Sequence, residues 1–175
     1  MQFPNHFALF GLPEQFTLDK AVLEEAYHEI QRVVHPDRFG MAGDAALRSS
    51  VQWASRANDA YHVLRDPLKR AIYLCEIKGV PLDTDAVSAV PPDFVLEQIT
   101  WREELDVARV EKDTEALSTL SARLWERKRA LLQLIGEQLD RKDFLSAVQA
   151  IRKMMFLDRF SDEINRIFDE MEATS

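Results

Sequence analysis

The chain has 175 residues, 30 of them Asp or Glu against 22 Lys or Arg, for a net charge of −8 with 46% apolar residues. That is enough chain for one large or two small domains with a real core, and no stretch approaches the roughly 18 uncharged apolar residues of a spanning helix. The acidic balance argues against broad nucleic-acid binding, which needs a basic footprint. Met1–Phe10 has no basic lead before an apolar run, so no secretory signal and no membrane partner are expected, and a cytoplasmic setting is.

The one cysteine, Cys75, leaves no internal disulfide and no CxxC metal or redox site, and its apolar neighbours Ile72 and Leu74 suit a small buried side chain. Five glycines form neither GxGxxG nor GxxxxGK[ST], so the chain has no phosphate cradle. The histidines His6, His28, His35 and His62 lack the i, i+4 pairing of a zinc helix. No metal, cofactor or catalytic residue is expected.

Helix punctuation is dense and strand signals are nearly absent, so the fold class is all-α. Asp19 is placed to cap a helix with apolar positions Val22, Ala26, Ile30 and Val33, ending before Pro36. Pro, Gly and Asp make a loop from His35 through Asp44. A second helix begins near Ala45, with Leu47, Val51, Ala54, Asn58, Tyr61 and Leu64 at helical spacing. Asp66-Pro67 starts a third, carrying Leu68, Ala71, Ile72 and Cys75, which Gly79 is placed to close.

Residues 80–92 read as a linker ending in Pro91-Pro92. Charge shifts across it: net −1 over residues 1–79 and net −7 over 80–175, which supports two domains with different partners. Residues 93–175 read as a small antiparallel helical bundle. Its first helix carries Phe94, Val95, Leu96, Ile99, Trp101, Leu105 and Val110 among carboxylates. Asp113 caps a long second helix with Leu117, Leu120, Leu124, Leu131, Leu134, Ile135 and Leu139. Asp143 precedes a third with Phe144, Val148, Ile151 and Met155, and Ser161 a last one with Ile164, Ile167 and Met171. Val95, Leu96 and Ile99, with Trp101 nearby, give an apolar arc broader than one buried seam requires, whereas Phe94, Leu105 and Ile151 suit the core. The basic run Arg123, Arg127, Lys128 and Arg129 reads as a solvated face.

The tripeptide His35-Pro36-Asp37 lies between two amphipathic helices, after Tyr27-His28-Glu29-Ile30-Gln31-Arg32 and before Asn58-Asp59-Ala60-Tyr61 and Asp66-Pro67. Residues 1–79 thereby resemble the J domain, the co-chaperone module that activates DnaK-type ATPase chaperones. The resemblance implies a chaperone contact through His35, Pro36 and Asp37, with Tyr27, Arg32 and Arg38 around them. Pro36 stiffens the turn, Asp37 can accept an arginine fork, and His35 offers two ring nitrogens. J domains usually present several Lys and Arg before this loop. Here Lys20 and Arg32 stand among Glu24, Glu25 and Glu29.

The second half, through Asp93–Ile99, Arg102–Asp106 and Arg152–Asp158, resembles the C-terminal domain of the HscB family, J proteins of iron–sulfur cluster assembly. That likeness implies two partners, an HscA-like ATPase chaperone and an IscU-like cluster scaffold. The scaffold contacts carry over to Val95, Leu96, Ile99, Glu103 and Phe156. Thr100 and Val107 stand where the family has acids, with Glu97, Glu104 and Asp106 as neighbouring carboxylates. Alternatives are a J protein with another client and a small hydrolase using His35 as base and Asp37 as its orienter; the latter lacks a nucleophile with oxyanion donors.

Overall fold

The computed structural model describes residues 3–34, 43–83 and 91–173. Its elements are α1 (His6–Leu9), α2 (Lys20–Val34), α3 (Asp44–Arg65), α4 (Pro67–Ile77), α5 (Pro92–Glu111), α6 (Thr114–Asp140) and α7 (Phe144–Glu172). No strand occurs among the described residues. The chain divides into two compact units, Met1–Gly79 and Val80–Ser175.

In the first unit α2 and α3 run antiparallel, with α1 and α4 packed on α3. Asn5 caps α1 by accepting from the Ala8 amide at 2.9 Å, and Asp19 accepts from the Ala21 amide at 2.8 Å where α2 begins. The inward row of α2 differs from the expected one. Leu23 is buried and Tyr27, Ile30 and Val34 are half-buried, while Val22 and Val33 face solvent. Two apolar rows overlap on this helix, about one residue or 100° apart. The helix turns to bury the row with the bulkier Leu23 and Tyr27, and Tyr27 finds a stacking partner in Tyr61 at 4.2 Å. On α3, Leu47 and Val51 are likewise exposed, and the buried row is Ser50, Ala57, Ala60, Tyr61 and Leu64. Its small members suit close helix approach, and the Ser50 hydroxyl is satisfied by donating to the Leu47 carbonyl at 2.8 Å.

Asp66 and Pro67 start α4 as their types predict: the Asp66 carboxylate accepts from the Lys69 amide at 2.9 Å with Pro67 in the first turn. The helix closes at Gly79, whose φ of 80° is a conformation that disfavours a side chain. Cys75 is buried, and burial pushes its thiol up to about 11. Arg70, also buried, donates to the carbonyls of Phe16 and Leu64 and lies over the Phe16 ring. It ties the segment before α2 to the C-terminal end of α3, where a cation is favoured.

The second unit runs up, down and up: ion pairs join Arg102 to Glu163 at 2.9 Å and Arg109 to Glu170 at 3.7 Å, so α5 and α7 are parallel and α6 opposes both. Its two turns share one construction. Lys112 and Lys142 end α5 and α6 with φ of 54° and 59°. The amides of Asp113 and Asp143 then reach back to the carbonyls of Ala108 and Gln138, both at 2.9 Å. Each Asp caps the next helix, accepting from Ala116 at 2.9 Å or Ser146 at 3.2 Å. The core forms where Leu117, Leu120, Leu124, Leu131, Ile135 and Leu139 of α6 meet α7; Leu134 points outward. The expected break at Ser161 does not occur. No Pro or Gly interrupts residues 144–172, and the buried row Val148, Ile151, Met154, Leu157, Phe160, Ile164 and Ile167 continues through it. An unbroken apolar row, buried along its length, outweighs the roughly 1 kcal/mol that one capping serine offers.

Candidate functional site

His35, Pro36, Asp37 and Arg38 lie outside the described residues. The helix that leads to them is held firmly. The Tyr27 hydroxyl donates to the Asn58 side-chain oxygen at 2.8 Å, which also accepts from Gln31 at 2.6 Å. With the Tyr27–Tyr61 stack, these contacts fix α2 on α3 about two turns before His35. Tyr27 thus spends its hydroxyl and one ring face within the hairpin. Arg32 is exposed, 3.8 Å from Glu29. Leu9, Ile30, Val34, Ala46 and Trp53 line an apolar groove of about 780 Å³ at the same end.

The second candidate site lies on α5. Phe94, Trp101, Leu105 and Ala108 face inward, while Val95, Leu96 and Ile99 are 39%, 64% and 49% exposed. Phe156 of α7 is half-buried, edge-on to Phe94 of α5 at 5.6 Å and stacked on Phe160 at 6.0 Å, so it packs against the α5 residue that precedes Val95. Two buried rings therefore hold Phe156 in place with one side left open to solvent. Lys153 lies over the Phe94 ring at 5.5 Å. Glu103 is exposed one turn along from Ile99. The expectation that Trp101 widens the patch fails: its indole is buried and stacks on Phe160 at 6.1 Å.

The basic run on α6 is also more than a solvated face. Arg127 grips Glu97 with both carboxylate oxygens at 3.0 and 3.2 Å, Arg123 pairs with Glu104, and Lys128 pairs with Asp158. Two of the three acids neighbouring Thr100 and Val107 are thus engaged by arginines of α6, and the third, Asp106, is exposed. Counting outward from the turn at Lys112-Asp113 brings Glu104 near Arg123 and Glu97 near Arg127, so the antiparallel pairing carried the missing signal. Thr100 is exposed and its hydroxyl donates to the Leu96 carbonyl at 3.2 Å, leaving the methyl as the group it offers outward. Arg152 of α7 donates to the Leu82 carbonyl, a contact the sequence did not announce. Among the described residues no cluster of His, Cys, Asp and Glu is arranged to hold a metal, and no helix is long and apolar enough to cross a membrane.

Comparison with known proteins places these sites in context. Residues 90–165 match the family model described as the HSCB C-terminal oligomerisation domain. A protein of Burkholderia multivorans named co-chaperone protein HscB homolog is 44% identical over 169 residues, covering 97% of each chain. The structure of chaperone HscB from Vibrio cholerae superposes with a TM-score of 0.81 at 34% identity, covering 95% of this chain and 99% of that one. The human co-chaperone HscB, at 24% identity, shares the fold with a TM-score of 0.83 over 94% of this chain and 84% of its own. An all-α chain with a J domain followed by a helical bundle, matched along nearly its whole length, belongs to the HscB family of co-chaperones of iron–sulfur cluster assembly.

Proposed function

We propose that this chain couples an IscU-type cluster scaffold to an HscA-type ATPase chaperone in the cytoplasm, binding the first through the α5 face and stimulating the second through His35-Pro36-Asp37. The observation that carries the scaffold half is the solvent-facing row Val95, Leu96 and Ile99 of α5, with the half-buried Phe156 held against Phe94 of that same helix. A helix that already buries one apolar face and leaves a second in water is suited to a partner. Glu103 adds the carboxylate that orients it. On the first unit, Pro36 limits the loop's freedom, and His35 and Asp37 supply the hydrogen bonds, with Arg32, Arg38 and Tyr27 around them.

ATP is hydrolysed on the partner, and this chain contributes binding energy alone. Its loop acts by favouring the hydrolysis-competent state of the chaperone over the alternative. Carrying both surfaces on one chain raises the local concentration of scaffold at the chaperone when hydrolysis is triggered. The acidic groups around Arg32 match a chaperone surface less acidic than most J domains require.

Two substitutions test the halves separately. His35→Gln is expected to abolish stimulation of the chaperone's ATPase while leaving scaffold binding intact. Leu96→Ala is expected to weaken scaffold binding in calorimetry roughly tenfold, as an interface anchor does, while its solvent-exposed position spares the fold. Full stimulation by the first variant removes the chaperone half. Unchanged affinity in the second removes the scaffold half and favours a different client.

A further inference from the structure

The apolar face of α5 does not end at Ile99. Val107 and Val110 are 56% and 83% exposed, the latter the most open large apolar side chain among the described residues. At 100° per residue, Leu96, Ile99, Thr100, Glu103, Val107 and Val110 fall within an arc of about 100° and extend for about 21 Å. Thr100 offers its methyl, because its hydroxyl is bonded to the Leu96 carbonyl. Glu103, at its midpoint, is the charge inside this arc, and the exposed Asp106 and Glu111 stand about 20° beyond its two edges. The acids on the adjoining flank, Glu97 and Glu104, are held by Arg127 and Arg123 and turned toward α6.

From this geometry we propose that the partner-binding face of this chain is one continuous aliphatic strip reaching to the C-terminal end of α5, and that Val107 and Val110 select the scaffold by apolar contact. The inference rests on the scaffold reading above and specifies the partner's surface. That surface carries one lysine or arginine opposite Glu103, with aliphatic side chains on both sides of it where Thr100 and Val107 lie. A scaffold with cations opposite Thr100 and Val107 meets a methyl and an aliphatic side chain there and leaves those cations desolvated, which selects against it.

A second copy of this chain is the other occupant to weigh. Two such strips paired about a two-fold axis set Glu103 against Glu103 at the centre, with no cation in the strip between them. A heterologous partner with a central cation removes that repulsion. Continuity with Leu96 and Ile99 and the lone central charge therefore both favour the scaffold.

Calorimetry of the full chain with the IscU-type scaffold of the same organism tests the proposal. Alanine is the better helix former, so Val107→Ala and Val110→Ala keep α5 intact. Each is expected to raise the dissociation constant roughly three- to tenfold. If Leu96→Ala weakens binding and neither valine variant does, the strip ends at Ile99 and only this inference falls. If Leu96→Ala is also without effect, the scaffold reading falls with it. Sedimentation of the chain alone covers the other occupant: self-association abolished by Val110→Ala, with scaffold affinity unchanged, assigns the strip to a second copy and overturns the proposal.

Discussion

Arg70 of the first unit and Arg102, Arg123 and Arg127 of the second are held in opposite ways. In the first, Arg70 is buried, and carbonyl oxygens of Phe16 and Leu64 receive its guanidinium with an aromatic ring beneath it. In the second, Arg102, Arg123 and Arg127 stay at the surface and reach carboxylates of neighbouring helices. A buried cation organises the fold around itself. A surface pair sets how two helices face each other and contributes little to stability. The same contrast separates the proposed contacts: His35-Pro36-Asp37 for the first unit, the open side of a regular helix for the second. A helix face keeps its spacing through most single substitutions.

The largest effect expected from this contrast is at Arg70. Replacing it by Leu leaves two carbonyls without donors and is expected to cost the first unit about 3 kcal/mol. Hydrogen exchange should show protection lost in α1 to α4 and kept in α6 and α7; equal loss in both breaks the contrast. In the second unit, Leu157→Ala creates a cavity in the α6–α7 seam and is expected to cost about 3 kcal/mol, seen as a lower denaturation midpoint of that unit. Its exposed counterpart Leu96→Ala should move that midpoint by less than about 0.5 kcal/mol, so the pair separates core from contact surface. Arg127→Ala breaks a two-pronged but partly exposed pair, and a loss near 0.5 to 1 kcal/mol is expected, diminishing in high salt.

The smallest effect sharpens the picture by pH. His6 stacks on Tyr73 at 4.2 Å, and burial holds its imidazole below the usual histidine value, partly offset by Asp59. The unfolded chain then takes up the proton more readily than the folded one. The first unit accordingly loses stability as pH falls below about 6.5, the value for a free imidazole, and the loss is absent above it. His6→Phe keeps the stack and removes the proton site, so its melting temperature should vary less between pH 7 and pH 5 than that of the parent chain. An unchanged pH profile places the titration elsewhere.

Much of this molecule was legible in short-range terms. A cap involves a side chain and an amide three residues on, so Asp66, Asp113 and Asp143 announce helix starts that the structure reproduces. The His-Pro-Asp loop and the order of segments carried the family in the same local way. Errors arose where two readings were equally local. Val22/Val33 and Leu23/Tyr27 both satisfy helical spacing on α2, and only the surface of α3 decides between them. Ser161 looks like a cap until the buried row of α7 is seen to run through it.

The sequence by itself determined the helical class, the helix starts and the two-part organisation, because capping, proline stereochemistry and charge composition act within a few residues or sum over many. Tertiary structure alone decided which side of each helix meets water. It turned Trp101 inward, drew Glu97 and Glu104 toward the arginines of α6, and left Leu96, Ile99, Val107 and Val110 outside. Burial is a property of the neighbouring helix as much as of the residue, and a partner-binding face is whatever apolar surface that neighbour does not cover.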